Sequence, residues 1–287
     1  MSFPTLSRSQ TRSRLHINRR QKTLFVIALC ALFLLTIILS SSLMGNSGLN
    51  PALMQRNQPP SLAHWFGTDW LGRDMFMRSL YGMSLSVRVG LLAASFSAII
   101  GTGLGLVSGT FGGKVDAVIT WIIDVFFSLP HLVLLIMIAF AMGGGMQGVI
   151  VAVALTHWTG LARVIRAETL QVNSSDYVQL SYKLGRSPLW IARHHIFPHV
   201  IPQLLVGLIL LFPHAILHEA ALSFIGIGLS PHTPAIGIIL AESMRHLSTG
   251  YWWLGVMPGL LLLLTVKAFD TLGENLRALI DPKTSQG

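Results

Sequence analysis

Six long apolar runs, separated by polar segments, constrain this chain more than any other feature of its sequence. They cover about residues 23–44, 86–109, 117–142, 146–166, 199–225 and 252–273. A helix of roughly 20 apolar residues crosses the hydrocarbon core of a bilayer, which is about 30 Å thick. Only 11% of the residues are charged, against about 25% in a soluble domain. The sequence therefore predicts an all-α integral membrane protein with six transmembrane helices.

The first apolar run has a signal peptide as its alternative interpretation, because basic residues precede it. From Thr23 to Met44 the run contains 22 residues and no charge, whereas the apolar region of a signal peptide has about 7–15. We therefore interpret it as a retained first helix. Cys30, the single cysteine, lies in this run, which excludes an intrachain disulfide and a cysteine-based metal site.

The distribution of basic residues predicts the orientation. Of 20 lysines and arginines, 14 fall in the segments that are cytoplasmic if the N-terminus is inside, 5 in outer segments, and Lys267 in a run. Cytoplasmic loops of membrane proteins are enriched in these residues. We expect a multi-pass protein of a bacterial plasma (inner) membrane with both termini cytoplasmic. The net charge of +9 is then explained by its loops and the lipid, with no nucleic-acid partner.

The expected organisation has five parts. A basic tail (1–22) precedes the first transmembrane helix (23–44). A long extracytoplasmic segment (45–85) contains a loop and an amphipathic helix that runs into the second span. A core with five transmembrane helices (86–273) and a cytoplasmic tail (274–287) complete the chain. In the second span Gly101, Gly105 and Gly109 recur at four-residue spacing, which favours a close helix crossing.

The cytoplasmic segment between the fourth and fifth runs contains a short, sharply bounded helical element. Asp176 is a candidate helix cap, and Gln179 stands where the second residue of a capping box belongs. Gly185 suits a left-handed helix end, and Pro188 excludes continuation of the helix. The alternative is an amphipathic helix lying on lipid headgroups. Apolar and polar residues are mixed in it, as for a surface that fits a protein groove.

This segment resembles the "EAA" loop of binding-protein-dependent ABC importer permeases. Gln179, Leu180 and Ser181 stand at the Glu-Ala-Ala positions, Gly185 at the glycine, and "HIFP" (195–198) at the closing motif. All three signature letters differ, so the resemblance implies the geometry rather than the ionic contact. It implies that the helix inserts into an ATPase subunit. The implied coupling residues are Asp176, Tyr177, Gln179, Leu180, Ser181, Leu184, Gly185 and Pro198.

Further blocks resemble the dipeptide, oligopeptide and nickel branch of the same permeases, in order. They are "FGTDWLGRDMFMRSLYGMSLSVRVG", "GGKVDAVITWIIDVFFSLP", "HEAALSFIGIGLSPHTPAIG" and "AFDTLGENLRALIDP". Ile236 replaces the tryptophan that this branch usually has. The resemblance implies a type I ABC importer permease bundle with a cytoplasmic coupling helix. It also implies the partners: a second related permease, two ATPase subunits that use ATP and Mg²⁺, and an extracytoplasmic binding protein.

Ionisable residues inside the runs are candidates for the substrate path, because such groups are costly at membrane depth. His214 and His218 share a helix face, and His157 from another span can join them as weak ligands of nickel or a similar ion. Packing by interhelical hydrogen bonds is the alternative. Asp124, one and a half turns before Pro130, is expected to face the bundle interior. The sequence predicts no stably bound metal; the residues of the expected path are His157, His214, His218, Glu219 and Asp124.

Two groups of charged or basic residues have simpler interpretations. Lys267 and Asp270 are three apart and can pair on one helix. His194 and His195, with Arg193 and His199, are expected to contact headgroups or the ATPase rather than a metal.

Several functions compete with a permease. "SGTFGGKV" (108–115) lacks the first glycine and the final hydroxyl of a P-loop, so we expect no ATP hydrolysis and no cofactor in this chain. A gradient-driven secondary transporter would show an inverted repeat and broken helices at mid-membrane, and no such repeat is visible. An intramembrane metalloenzyme would use His157, His214 and His218 with Glu219. For the permease itself, the expected substrate is nickel or another transition metal, free or chelated, with dipeptides or oligopeptides as the alternative.

Overall fold

The structure, a computed structural model, describes residues 19–43, 49–230 and 233–280 of the 287. The predicted tails lie largely outside these ranges. Within them the chain is helical, with one isolated bridge between Thr68 and Asp74. The α-helices are α1 (Arg19–Leu43), α2 (Met75–Phe111), α3 (Gly113–Ser128), α4 (His131–Ala141), α5 (Gly145–Asn173), α6 (Asp176–Lys183), α7 (Pro188–Ile191), α8 (Phe197–Phe224), α9 (Ile236–Leu247) and α10 (Trp253–Ile280).

Five stretches of helix in the described part are long and apolar enough to cross a membrane: α1, α2, α5, α10, and the stretch Pro188–Phe224. The last consists of α7 and α8, joined by a π-helical turn at Ala192–Ile196. The predicted all-α membrane fold is confirmed. Large apolar side chains on the outside of the bundle, such as Phe25 and Phe140, are exposed, as expected for surfaces that face lipid.

The third predicted span is broken, so the prediction of one continuous helix over 117–142 is wrong. α3 and α4 meet at an angle of 98°. Leu129 has an extended backbone with ψ of 142°. A residue before proline is pushed out of the helical region by the proline ring, and Pro130 follows Leu129 directly. α4 therefore begins a new direction at His131.

The amphipathic helix and the second span form the single helix α2. Asp74 caps its start, since the carboxylate accepts hydrogen bonds from the backbone N–H groups of Phe76 and Met77. With 37 residues and about 1.5 Å per residue, α2 is about 56 Å long. It therefore extends well beyond a bilayer core of about 30 Å.

The close helix crossing predicted from the glycines is present between α2 and α5. A Cβ on Gly101 would stand 2.7 Å from the Trp158 carbonyl oxygen, and one on Gly105 would stand 2.7 Å from the Ala162 carbonyl oxygen. At Gly109 the obstacle is the side chain of Thr169, at 2.5 Å. Only glycine allows two helix backbones to approach this closely along three successive turns. This crossing fixes the position of α5 against α2.

The segment before α2 (49–74) is held to the bundle by a buried charge network. Arg78 of α2 is 4% exposed and donates to the fully buried carboxylate of Asp69 at 3.2 Å and to Glu242 of α9 at 2.5 Å. Arg73 also donates to Asp69, at 2.7 Å. The Trp253 indole donates to the Thr68 carbonyl oxygen at 3.3 Å. The loop before α2, α9 and the start of α10 therefore form one packed unit.

Candidate functional site

A cavity of about 570 Å³ lies between helices from across the bundle. Its wall includes Phe126 of α3, His131 of α4, His157 of α5, His218 of α8 and Arg277 of α10. Pockets of roughly 300–1,000 Å³ with apolar walls and a few convergent polar groups are typical of small-molecule sites. The cavity is therefore the candidate substrate site.

Three histidines converge on one side of this cavity. The ring centroids of His131 and His157 are 4.6 Å apart, those of His157 and His218 4.9 Å, and those of His131 and His218 5.0 Å. The rings meet at 57–79° rather than stacking in parallel. One nitrogen from each residue lies within 4.8 Å of the nitrogens of the other two. We call these three residues the histidine cluster.

His131 reaches the histidine cluster because of the break at Pro130. Since α4 starts at His131 and runs at a steep angle to α3, its first side chain stands beside the bend rather than on the side of a straight span. The sequence analysis did not include His131, because it treated 117–142 as one helix. A Pro-His pair in the middle of an apolar run was the signal that pointed to a break with a polar residue at it.

The proton of His157 is placed by its hydrogen bonds. Its Nδ1 lies 3.0 Å from the Thr156 hydroxyl and 3.2 Å from the Val153 carbonyl oxygen. Because the Thr156 hydroxyl donates to the Ala152 carbonyl oxygen and a carbonyl oxygen only accepts, we assign the proton to Nδ1. In a neutral ring Nε2 then carries the lone pair. Nε2 of His157 is buried and has no hydrogen-bond partner among the described residues. The ring therefore offers an unused lone pair inside the bundle.

His214 lines the same cavity but is not part of the histidine cluster. It lies one turn before His218 on α8, is exposed, and its Nδ1 contacts the Leu210 carbonyl oxygen at 3.1 Å. The sequence analysis grouped His214 and His218 with His157. The structure groups His131 with His157 and His218 instead.

Glu219 points away from the cavity into the packed bundle. It is 0% exposed, and Ser223 donates to its Oε1 at 2.7 Å. Its other carboxylate oxygen has no hydrogen-bond partner within the ranges described. Consecutive residues of an α-helix point about 100° apart, so Glu219 cannot share the direction of His218. The geometry does not support a place for Glu219 in the substrate path.

Asp124 does not face the bundle interior, so that prediction is wrong. Its side chain is 59% exposed and accepts a hydrogen bond from Arg163 of α5 at 2.6 Å. The Arg163 guanidinium also lies 4.2 Å from the centre of the Phe127 ring. The side of α3 that carries Asp124 faces Arg163 of α5. Asp124 is absent from the residues that line the cavity.

The predicted pairing of Lys267 with Asp270 is not formed. No nitrogen–oxygen contact within 4 Å joins these two side chains, both of which belong to the described part of α10. A spacing of three residues on a helix permits such a pair, but the rotamers of these two side chains do not bring their charged groups together.

The predicted coupling element is the helix α6. Ser175 rather than Asp176 is its N-cap, and Asp176 is the first helical residue, where a negative charge is favourable. Gln179 does not complete a capping box, since its side-chain amide donates to the Asn173 carbonyl oxygen at 2.8 Å. α6 therefore has Ser175 as its N-cap residue but no side-chain hydrogen bond that caps its first turn.

The end of α6 follows the prediction. Gly185 has φ of +80°, and the N–H groups of Gly185 and Arg186 donate to the carbonyl oxygens of Tyr182 and Ser181 at 2.9 and 3.1 Å. These two hydrogen bonds are those of a Schellman motif. Pro188 then occupies the first turn of α7, where its missing N–H costs nothing.

One face of α6 is packed and the opposite face is exposed. Val178 is fully buried in a core with Ile191 and Ile196. On the other side Tyr177, Leu180 and Leu184 are 50%, 56% and 73% exposed. Their spacing of three and four residues places them on one helix face. We call these three residues the apolar face of α6.

Contacts of the following segment hold α6 in place. His195 Nε2 lies 3.2 Å from the Ser181 hydroxyl, and His194 stacks on Trp190 with ring centroids 4.3 Å apart. Both histidines thus contact residues of their own chain. Pro198, the last residue of the predicted coupling set, is in the first turn of α8. α6 is therefore packed against the segment that leads into α8, and both α5 and α8 line the cavity.

The helices long and apolar enough to cross a membrane and the cavity between them define an integral membrane protein of the helical type. Residues 101–286 match the family described as binding-protein-dependent transport system inner membrane component, and the chain belongs to this family. It is an ABC importer permease of the peptide branch, as the sequence motifs predicted.

Relatives and solved structures support this assignment. The chain is 35% identical over 262 residues to the dipeptide transport system permease protein DppC of Bacillus subtilis, which covers 90% of this chain and 82% of the relative. It is 37% identical over 231 residues to the probable D,D-dipeptide transport system permease protein DdpC of Escherichia coli, covering 80% and 77%. An inward-facing structure of the MetNI methionine ABC transporter matches with a TM-score of 0.59 and 22% identity, over 72% of this chain and 98% of that one. The type I permease fold is confirmed.

Proposed function

We propose that this chain is the six-span permease subunit of an importer for short peptides. The names of its relatives carry this proposal, since those proteins transport dipeptides or D,D-dipeptides. The sequence favoured nickel, with peptides as the alternative; no relative considered above has nickel in its name. The cavity fits a peptide, because apolar walls alternate with Gln203 and Arg277 as partners for polar and anionic groups.

A strain that lacks this chain tests the substrate. It should lose uptake of a radiolabelled dipeptide, and the intact gene should restore it. An Arg277→Gln variant should raise the half-saturating peptide concentration, because it removes a positive charge from the cavity wall. Unchanged peptide uptake in the deletion strain would contradict peptide transport.

We further propose that the apolar face of α6 docks on an ATPase subunit. Exposure of three apolar side chains on one helix face to water is energetically unfavourable. A partner protein that covers this face removes that cost. Two ATPases, using ATP and Mg²⁺, and a second, non-identical permease complete the assembly. A binding protein delivers the peptide to the outer segment. The excess of lysine and arginine in the α5–α8 segment and the tails supports a cytoplasmic position for α6 and for both termini.

Leu180→Asp tests this docking directly. It should abolish co-purification of the ATPase and substrate-stimulated ATP hydrolysis, since it places a charge in an apolar contact. Leu62→Asp is the matched control, because Leu62 is 98% exposed in the outer segment and should have no effect on either. The docking role would be contradicted if the two changes had equal effects or if neither change had an effect.

Orientation has its own test. In a Cys30→Ser background, a Ser181→Cys variant should react with a membrane-impermeant thiol reagent only in inverted vesicles. A Leu62→Cys variant should react only in right-side-out vesicles or intact cells.

The energy source is tested by inactivating the partner ATPase. Uptake should then stop, whereas a gradient-driven transporter would continue uptake.

A further inference from the structure

We propose that the histidine cluster is a reversible binding site for a late first-row divalent transition metal ion, such as Ni²⁺ or Co²⁺. The proposal goes beyond peptide import, since it assigns a metal site to the wall of the cavity. His131, His157 and His218 come from three different helices, and one ring nitrogen of each lies within 4.8 Å of those of the other two. Imidazole is a preferred ligand of these ions.

The ring positions agree with metal coordination. A metal–nitrogen bond of about 2.0–2.1 Å places each ring centroid about 3.2 Å from the ion, so bond angles of about 90–110° put centroids about 4.5–5.2 Å apart. The three observed distances are 4.6, 4.9 and 5.0 Å. Packed aromatic rings have centroids about 4.5–7 Å apart, so these distances permit coordination without requiring it.

The nitrogens are slightly too far apart for an ion to be held without movement. Bonds of about 2.0–2.1 Å at these angles require nitrogens about 3–3.4 Å apart, while the nitrogens here lie within 4.8 Å of one another. Rotation of the His131 ring, whose side chain is exposed at the start of α4, would shorten its distances to the other two nitrogens. Binding that costs this rearrangement is weaker and faster to reverse, which suits a transport path.

His157 is already prepared as a ligand. Its Nδ1 donates to the Val153 carbonyl oxygen, which is the arrangement that orients metal-binding histidines in proteins. Its Nε2 lone pair is buried and without a hydrogen-bond partner among the described residues. A buried polar atom normally has a partner, and a metal ion on the cavity side would supply it.

The residues that line the cavity determine whether the positive charge of the ion is compensated. Among the described residues that line it, none is acidic, and Arg277 is cationic. Three neutral ligands leave the charge of the ion uncompensated. They also occupy one face of the ion and leave the remaining positions open. The ion can therefore arrive either bare or already bound by a carboxylate-bearing chelator such as a short peptide, and the two arms of the experiment separate these sources.

Metal binding is measured on the full chain in its transporter complex, purified with a tag that contains no histidine. Co²⁺ should give a visible absorption band of nitrogen ligation, and Ni²⁺ titration should give a dissociation constant. His157→Ala and His218→Gln should each weaken Ni²⁺ binding about tenfold or more and remove the band. His131→Ala, a change at an exposed side chain, gives the same test with the least risk to folding.

His214→Ala is the matched control, because His214 is on the same helix and the same cavity but outside the cluster. It should keep both the Co²⁺ band and the Ni²⁺ affinity. Thermal unfolding without metal confirms that each variant is folded. Equal Ni²⁺ affinity in the wild type and in all three cluster variants would overturn the proposal, as would an equal loss in His214→Ala.

The two sources are separated by titrating Ni²⁺ alone and as its equimolar complex with glycylglycine. Tighter binding of the complex would show that the site takes a chelated ion, and tighter binding of Ni²⁺ alone would show that it takes the bare ion. If neither form binds, the proposed site is wrong. Because these measurements need no transport, they are independent of the peptide-uptake assay. Peptide uptake without metal binding refutes only this inference, and metal binding without peptide uptake refutes only the proposed substrate.

Discussion

The guanidinium of Arg166 binds the carboxylate of Asp116 with two parallel hydrogen bonds, from Nε at 2.5 Å and from Nη2 at 2.6 Å. The Ser108 hydroxyl donates to the same carboxylate. This contact connects the start of α3 to α5 and the end of α2. Bidentate arginine–carboxylate pairs are stronger and more directional than single contacts. The pair therefore orients the short helix α3, which carries one wall of the cavity.

We expect Asp116→Asn to lower the thermal unfolding midpoint, because Arg166 loses its charged bidentate partner. Both side chains are less than one third exposed, so the coupling energy should be near the upper end for such pairs, about 1 kcal/mol. A double-mutant cycle with Arg166→Gln, followed by thermal unfolding in detergent, measures it. Asp124→Asn breaks a largely exposed pair and should show less coupling with Arg163→Gln. A larger coupling for the exposed pair would contradict this.

Gly105→Ala should destabilise the bundle by about 1–3 kcal/mol, as overpacked cores do. The added methyl group would stand 2.7 Å from the Ala162 carbonyl oxygen, so α2 and α5 must separate. Gly103→Ala is the control, since nothing lies within 4 Å of a Cβ there; alanine at that position should leave the midpoint unchanged or raise it slightly. Similar midpoints for the two variants would refute the close crossing. Fluorescence-detected size exclusion after heating gives the comparison.

Arg78→Met should loosen the segment before α2, because it leaves the carboxylate of Asp69, which is 0% exposed, with only Arg73 as a cationic partner among the described residues. Removal of one partner from a buried ion pair typically costs about 3–5 kcal/mol. Faster proteolysis of the 49–74 segment in right-side-out vesicles would report the change. Arg245→Met changes an exposed arginine on α9 and should leave the cleavage rate as in the wild type.

Gly185→Ala should weaken the coupling between ATP hydrolysis and uptake. The glycine has φ of +80°, and a side chain in left-handed backbone costs about 1–2 kcal/mol. The turn after α6 would then change its path and move the apolar face of α6. The ratio of peptide taken up to ATP hydrolysed is the measurement, with Gly103→Ala as control. An unchanged ratio would show that the left-handed turn is not needed for coupling.

The sequence by itself determined that the chain is a helical membrane protein, that the glycines of α2 lie at a close helix crossing and that α6 has a left-handed end. These features are local, because length, apolar content, four-residue spacing and a glycine before a proline act within one element. The family followed from the same local motifs, in the order in which they occur along the chain.

Only the tertiary structure decided which polar side chains meet. It brought His131 into the histidine cluster in place of His214, turned Asp124 outward to Arg163 and placed Glu219 in the core. The physical reason is that residue spacing defines a face of one helix, whereas the rotation and crossing angle of neighbouring helices define what that face contacts. The bend of 98° at Pro130 gives α4 a direction different from that of α3.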